Sequence, residues 1–223
     1  MRVLIFHGYL LRGTGSNVYN AELAQALARL GHDVHLLCQD RRAPDLPWVD
    51  AIGRWEEGRL RVEALPGRER KAEGRISAYL PEIGGLLPVY VYDAYEGFDV
   101  KVYPDLTDEE LDRYVESNVR AVADVAEPGV DAALANHLVM SPAVFARAGL
   151  ERYAVKVHGS DLSYTVRPNP ERFVPPSREG LEQAGAALVG SRHTAEDLWA
   201  TVDLDGLPDR TLLGPPGVDV RAF

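Results

Sequence analysis

The residues best suited to do chemistry form the segment His158-Gly159-Ser160-Asp161, which directly follows the apolar run YAVKV. An imidazole can donate or accept a proton near neutral pH, and a neighbouring glycine leaves room for a ligand. Asp161 can hold a hydroxyl group of a ligand or orient the loop. A turn with a capping aspartate and an incidental histidine is the structural alternative, and the combination of residues favours a functional segment.

Two more polar groups follow apolar runs. Asn136 and His137 come after DAALA; they could line a binding site, or the histidine could be buried and bonded to the backbone, and both interpretations stay open. Ser191 precedes a helical pattern and is most simply its N-cap, because a serine oxygen accepts from the free N–H groups there. His193 lies in the first turn of that helix, and we interpret it as structural.

The turn Gly13-Thr14-Gly15-Ser16 precedes a helix that we expect over 17–30, with Ser16 as its N-cap. Glycines let the backbone come close to a ligand, and a helix N-terminus offers free N–H groups to an anion. A tight turn before a capped helix explains the same residues. The turn therefore stays open between a ligand-binding and a structural interpretation.

A nicotinamide-binding loop is the alternative function for this turn. Such a loop reads G-x-G-x-x-G directly after a strand. Here Val18 stands at the third glycine position, and the glycine pair begins five residues beyond Gly8, so the loop is too long. Asp40 could imitate the acid that binds ribose, which keeps a nicotinamide-dependent enzyme as a minor alternative.

Apolar runs alternate with helical patterns along the chain, which predicts an α/β fold with a mostly parallel sheet covered on both faces. We predict strands at 2–7, 33–38, 59–64, 88–93, 131–136, 153–157, 186–190 and 211–214, and helices at 17–30, 141–148, 179–184 and 194–202. A longer helix begins at the capping box Thr107–Glu110 and stops at 128–129. Because ligands bind beyond the carboxyl ends of parallel strands, we expect His7, His137, His158 and the glycine turn at one shared rim.

Residues 40–105 have a less regular pattern, rich in proline, glycine and charge. We expect an irregular region, and an acceptor-facing insertion is one interpretation of it. Its tyrosines indicate either core packing or a lid; they are Tyr79, Tyr90, Tyr92, Tyr95 and Tyr103. The charged run over 68–75 is typical of a solvated loop or helix face.

Composition excludes several classes of protein. The chain has 46% apolar and 26% charged residues, as globular domains do. A net charge of −10 argues against sequence-independent nucleic-acid binding, which needs a positive face. Its one cysteine, Cys38, cannot form an internal disulfide and makes the cytoplasm the simplest compartment. No apolar stretch reaches the roughly 20 residues of a membrane span, although peripheral membrane contact stays open.

Several segments together resemble one family: MRVLIFHGY, the glycine turn with its helix, LGHDVHLLCQD, VKVHGSDL, ALVGSRHTAEDL and GPPGVDVRAF. In this order they resemble the N-terminal half of retaining glycosyltransferases of the GT-B fold, of the glycogen-synthase-like family 4 type. The resemblance is weakest over about 40–105. HGSDL and the terminal GVD-x-x-x-F are its most specific parts.

The resemblance implies a fold and a reaction. It implies a Rossmann-like, three-layer α/β/α domain over 1–214 that mainly binds the acceptor, a carbohydrate or small molecule. Residues 215–223 would begin the linker to a missing C-terminal domain that binds a nucleotide-diphosphate sugar. A glycosyl group would pass to an acceptor hydroxyl with retention, without a metal or other cofactor and without nucleic acid. This piece alone would be inactive.

The resemblance also implies site residues. His158 would contact the transferred sugar and support the transition state, and Asp161 would order its loop. The rest of the cleft would be formed by Gly13, Gly15, Ser16, Asn136, His137, Gly159, Ser160 and Ser191. A stand-alone module that binds a carbohydrate or phosphorylated ligand without chemistry is the main alternative.

Overall fold

The computed structural model describes residues 1–13, 15–67 and 73–217. Its strands are β1 (Arg2–Phe6), β2 (Asp33–Leu37), β3 (Ala51–Glu56), β4 (Arg59–Ala64), β5 (Ile76–Leu80), β6 (Leu86–Val89), β7 (Asp99–Val102), β8 (Ala132–Asn136), β9 (Tyr153–Val157), β10 (Ala186–Val189) and β11 (Thr211–Leu213). Its α-helices are α1 (Gly15–Arg29), α2 (Asp108–Ala126), α3 (Ser141–Arg147), α4 (Pro170–Gln183) and α5 (Arg192–Val202). A short π-helix, Asp161–Val166, follows β9.

Nine strands form one sheet in the order β11-β10-β9-β8-β1-β2-β5-β3-β4. All neighbours in it are parallel except the β3–β4 pair. The chain goes from β1 to β2 on one side and later returns to β8 on the other, so the strand order switches between β1 and β8. Ligands bind beyond the carboxyl ends of the strands at such a switch. The predicted fold class is confirmed.

The central strands are buried on both faces, as a parallel sheet between two layers requires. In β1, Leu4 and Phe6 pack into the core that contains residues of α2 to α5, whereas Val3 and Ile5 pack against α1. This alternation follows from the two-residue period of a strand. Each fully buried aliphatic side chain contributes about 1.5–3 kcal/mol. The apolar runs therefore hold a three-layer α/β/α arrangement together.

The start of α2 confirms the predicted capping box. The Thr107 hydroxyl accepts a hydrogen bond from the Glu110 N–H at 3.2 Å, and the Glu110 carboxylate accepts from the Thr107 N–H at 2.9 Å. The apolar residues that this helix buries include Leu111, Val115, Val122 and Val125. The local sequence thus fixes both the start of α2 and the face that it buries.

Two expectations about α1 are wrong. The helix begins at Gly15, so Ser16 lies in its first turn and is not the N-cap. Leu30, the last residue of the helix predicted over 17–30, lies outside α1, which ends at Arg29, and it is 70% exposed. The residues that α1 buries against the sheet are small, chiefly Ala21, Ala24 and Ala28, which allow a close approach. Leu23 and Leu27 are larger and give the stronger apolar signal in the sequence, but they pack against this core only partly buried.

The described part of the region 40–105, expected to be irregular, contains five strands. β3 and β4 form a hairpin through Glu57 and Gly58, both with positive φ, and β4 at 59–64 confirms the predicted strand. β4 is an edge strand whose residues are mostly exposed, so the sequence of this strand contains no apolar run. The strand expected at 88–93 lies instead at β6, in a small sheet with β7. Of the charged run, 68–72 lie outside the described residues.

Helix α4 begins nine residues earlier than the helix predicted at 179–184. Pro175 and Pro176 lie inside it, and each lacks the N–H that would bond the preceding turn. On sequence grounds, these two prolines argue against a helix at this position. Burial of Phe173 and Leu181, both fully inaccessible to solvent, stabilises the helix in spite of them. Tertiary packing has overridden the local preference.

Candidate functional site

The candidate site lies where β1, β8 and β9 end side by side at the switch in strand order. His7 directly follows β1, Asn136 is the last residue of β8, and His158 directly follows β9. The ring centroids of His137 and His158 are 4.5 Å apart, and those of His7 and His137 are 6.2 Å apart. The structure therefore brings together the three histidines that the sequence places at strand ends.

A chain of hydrogen bonds joins the strand ends to helix α1. His158 Nε2 lies 2.9 Å from Asn136 Oδ1, and Asn136 Nδ2 lies 3.0 Å from His7 Nδ1. His7 Nε2 then lies 2.9 Å from Asn17 Oδ1 in the first turns of α1. Asn20, one turn later, places its Nδ2 3.2 Å from His7 Nδ1. We call His158, Asn136, His7, Asn17 and Asn20 the histidine–asparagine chain.

Asp161 ties the ends of β8 and β9 together. Its Oδ1 accepts from His137 Nδ1 at 2.8 Å, and its Oδ2 accepts from the N–H groups of Leu138 at 2.8 Å and His158 at 3.1 Å. Burial alone would raise the pKa of Asp161, but His137 and the N–H donors outweigh it, and the pKa lies below its usual value. A buried carboxylate thus orders the loop that carries His158.

His137 occupies a strained and crowded position. Its φ of 76° is in the left-handed region, which a residue with a side chain seldom adopts. Its ring stacks on Tyr90 at 4.6 Å between centroids, and Tyr9 meets it edge-on at 5.4 Å. Its Nε2 is buried and makes no hydrogen bond with any described residue. Such strain often occurs at functional sites, where surrounding contacts impose it.

The buried surroundings keep two histidines uncharged. Burial first, and the nearby His137 second, lower the pKa of His7 to about 3 and that of His158 to about 4. Both rings are therefore neutral near pH 7. At that pH they act as one donor and one acceptor each, and not as cations.

Access to solvent separates these residues into a buried set and a rim. Asn136 and Asp161 are fully buried and His137 is 4% exposed, whereas His158 is partly exposed and Gly159 is exposed. A Cβ added to Gly159 would meet no atom within 4 Å, so space opens beside the His158 loop. Ser160 places its hydroxyl 3.4 Å from Asp161 Oδ1. His158 is therefore more accessible from solvent than Asn136, His137 or Asp161.

Gly13 precedes α1 by two residues and Gly15 begins it, and this helix contributes Asn17 to the histidine–asparagine chain. Gly13 has a φ of 94°, which favours glycine, and a Cβ added to Gly13 or Gly15 would meet no atom within 4 Å. Thr14 between them lies outside the described residues. Asn17 Nδ2 also donates to the Arg12 carbonyl at 2.8 Å and holds the turn to the helix.

Asp40 locks the loop before this turn. Its carboxylate accepts from Arg12 Nη2 at 2.9 Å, from the Leu11 N–H at 3.1 Å and from the Arg42 N–H at 2.9 Å. The side chain is buried and its oxygens are engaged by the protein. Asp40 therefore does not present the free carboxylate that a nicotinamide-binding site would offer to ribose.

Ser191 does not join the histidine–asparagine chain. Its hydroxyl accepts from the Thr194 N–H at 3.1 Å and caps α5, as the simplest interpretation predicted. His193 is 84% exposed in its side chain and lies 3.6 Å from Asp197. Both residues are surface features of the neighbouring strand end, and a ligand role for Ser191 stays a prediction.

Sequence reasoning missed Asn17, Asn20 and Lys156. The two asparagines are buried one helical turn apart, and their spacing on the sheet-facing side of α1 was the available signal. Lys156 is a charged residue inside an apolar strand, and it is buried with Nζ donating to the Gly214 carbonyl and lying 5.6 Å above the Tyr19 ring. Burial lowers the pKa of Lys156.

The tyrosines of 40–105 divide into buried and exposed side chains. Tyr79 and Tyr103 are buried in the core, as packing predicts, and Tyr90 stacks on His137. Tyr92, two residues further, is 71% exposed. The lid interpretation therefore stays a prediction for Tyr92.

A family model described as a glycosyl transferase 4-like domain matches residues 14–205. The chain belongs to the glycosyl transferase 4-like family. The match confirms the resemblance drawn from the motifs, and it covers α1 to α5 with Asn136, His158 and Asp161. A search of curated proteins finds none that matches this glycosyl transferase 4-like domain.

Two further observations concern ligands and membranes. Within 1–13, 15–67 and 73–217, no three His, Cys, Asp or Glu side chains are grouped as ligands for a metal ion in this glycosyl transferase 4-like domain. Among the helices of the same described ranges, none is long and apolar enough to cross a bilayer.

Proposed function

We propose that this domain is the acceptor-side half of a retaining glycosyltransferase. It would help to move a sugar from a nucleotide-diphosphate sugar to a hydroxyl of a carbohydrate or small-molecule acceptor. Family membership supports transfer of a glycosyl group. The observation that carries the proposal is the partly exposed His158, held at the switch in strand order by a buried chain of hydrogen bonds.

The proposed roles follow from position. His158 contacts the transferred sugar, with Gly159 leaving space beside it. The N-terminus of α1, which begins at Gly15 just after Gly13, offers N–H groups to an anionic oxygen of the donor. Asp161 holds the loop without touching the ligand, because it is fully buried. Catalysis then rests on positioning and on electrostatic support of an oxocarbenium-like transition state.

A second lobe completes the proposed enzyme. We place most donor diphosphate contacts in a C-terminal domain across a cleft from the rim, so residues 1–223 alone should transfer negligibly. As the family resemblance implies, the reaction as proposed needs no metal ion. The single cysteine, Cys38, is buried and free, which fits a reducing cytoplasm.

Replacing His158 in the product of the whole gene tests this function. We would measure release of nucleoside diphosphate from UDP-glucose and GDP-mannose with a panel of acceptors. His158→Ala should lower turnover roughly 10²-fold, the scale of losing one transition-state contact. His193→Ala is the matched control, because this histidine is exposed near the next strand end and should leave turnover unchanged. Wild-type turnover in His158→Ala would refute the assignment.

Two further measurements separate the alternatives. The product of an α-linked donor should keep the α configuration in NMR spectra, and an inverted product would contradict retention. Calorimetry of residues 1–223 with UDP-glucose and GDP-mannose addresses the binding module. Tight binding by this chain, with no transfer by the whole gene product, would favour a module without chemistry.

A further inference from the structure

The two ring nitrogens of His158 differ in their contacts. Nε2 lies 2.9 Å from Asn136 Oδ1 inside the protein. Nδ1 makes no hydrogen bond with any described residue, and the side chain is partly exposed at the rim. One nitrogen is thus held by the protein, and the other is left for a ligand or for water.

A backbone carbonyl determines which nitrogens carry protons. His7 Nε2 lies 2.9 Å from the Leu10 carbonyl oxygen, which can only accept, so Nε2 must carry the proton. In the neutral ring, His7 Nδ1 is then an acceptor and needs a donor. Asn136 Nδ2 supplies one at 3.0 Å and Asn20 Nδ2 a second at 3.2 Å. The Ser16 carbonyl, 2.8 Å from Asn20 Nδ2, independently fixes that amide as the donor.

The orientation of Asn136 follows from His7. With Nδ2 directed to His7, the amide must turn Oδ1 toward His158. A flipped amide would set an oxygen lone pair against the lone pair of His7 Nδ1. Because an amide oxygen can only accept, His158 Nε2 must carry the proton. The Leu10 carbonyl therefore sets the protonation of His158 through two intermediate side chains.

We propose that Asn136 is a positioning residue that holds His158 in the Nε2-protonated tautomer and leaves Nδ1 as a free hydrogen-bond acceptor. A free acceptor binds a hydroxyl group, which donates, and repels the oxygens of a phosphate or carboxylate. This last step rests on the proposed function: the ligand group that binds His158 Nδ1 is then a hydroxyl of the sugar and not the diphosphate of the donor. Asn136 acts through His158, since it is fully buried itself.

Long-range ¹H–¹⁵N NMR spectra of the labelled 223-residue chain at pH 7 test this proposal. The set of ring-nitrogen signals that disappears in the spectrum of His158→Gln is assigned to His158. We expect an unprotonated Nδ1 and a protonated Nε2 in the wild type. Because one net hydrogen bond is worth about 1 kcal/mol, Asn136→Ala should shift the tautomer ratio about fivefold toward protonated Nδ1.

Asn20→Ala is the matched control. Asn20 is also buried and also donates to His7 Nδ1, but its side-chain hydrogen bonds go to His7 and Ser16 and not to His158, so the His158 signals should stay in place. A wild-type ring protonated at Nδ1, or an unchanged ratio in folded Asn136→Ala, would overturn the proposal. If Asn136→Ala does not fold, two measurements still test the proposal by the same criteria. They are the position of the ring proton in the wild type and the tautomer ratio in Asn136→Ser.

The outcome is independent of the glycosyltransferase assignment. The expected tautomer in a protein without transferase activity would refute the proposed function and leave the role of Asn136 intact. Protonation at Nδ1 in an active transferase would refute only the role of Asn136. Thermal midpoints of each variant, measured in parallel, separate a change of tautomer from a general loss of packing.

Discussion

Mild acid should destabilise this protein, because buried neutral histidines take up protons when it unfolds. Burial, followed by the nearby His137, lowers the pKa of His7 from 6.5 to about 3. Burial, followed by the nearby Arg2, lowers the pKa of His35 from 6.5 to about 4. Above pH 6.5 both states hold neutral rings, so the histidines contribute their full stability. Below pH 6.5 only the unfolded state binds the protons, so stability falls with pH down to the folded pKa.

The size of the effect follows from the two shifts. Each proton bound only by the unfolded state costs about 1.4 kcal/mol per pH unit, so His7 and His35 together give about 3 kcal/mol per pH unit. Between pH 6.5 and pH 5 the loss is about 4 kcal/mol, a large share of the roughly 5–15 kcal/mol that stabilises a typical domain. His158 adds a smaller share, because water reaches its ring and screens it.

Urea unfolding followed by tryptophan fluorescence at pH 7, 6, 5.5 and 5 measures this slope. His35→Gln replaces the ring that faces the Tyr79 hydroxyl at 2.7 Å with a group that does not titrate. The slope should then fall by about half, whatever the variant loses at pH 7. His193→Gln, on the surface, is the control and should keep the wild-type slope. A flat stability between pH 7 and 5, or an unaltered slope in His35→Gln, would refute the reasoning.

Three other substitutions have expected effects on the free energy of unfolding. Asp161→Asn should lower it by about 3 kcal/mol, because a buried partner of His137 loses its charge; a loss below about 1 kcal/mol in urea unfolding would contradict this. Thr107→Ala removes the cap of α2 and should cost about 1 kcal/mol, or about 2–4 °C in Tm by calorimetry, while Thr107→Ser keeps the bond and the midpoint. Gly180→Ala places a Cβ against the backbone of α3, and this overlap should exceed the ~1 kcal/mol helix gain. Gly185→Ala, with its nearest atom at 3.6 Å, should be milder in the same assay.

The sequence predicted those features that depend on neighbours along the chain. Thr107 and Glu110 form the predicted capping box because its two hydrogen bonds span three residues. The strand at 153–157 is found as predicted, since a short apolar run between turn residues is a local signal. The histidines at strand ends were found for the same reason. Where packing against distant elements decides, as for the proline-containing helix α4, the local pattern failed.

Strand order was not readable from the sequence. β5 lies between β2 and β3, so the hairpin of β3 and β4 joins the main sheet although the chain passes through β3 first. Backbone pairing carries little sequence information, and an exposed edge strand such as β4 has no apolar run to indicate a partner. For this reason the sequence pattern predicted an irregular region over 40–105.

By itself, the sequence determined the α/β class, the family and the polar residues at the ends of the strands, because periodicity, capping and motif order are local. Only the tertiary structure decided which of these residues meet. Asn136 and His7 are 129 positions apart, yet their hydrogen bond fixes how His158 is presented at the rim. Such a bond depends on the adjacency of β1 and β8 and on a helix packed across their ends. Its partners are selected by the fold, and no spacing along the chain encodes them.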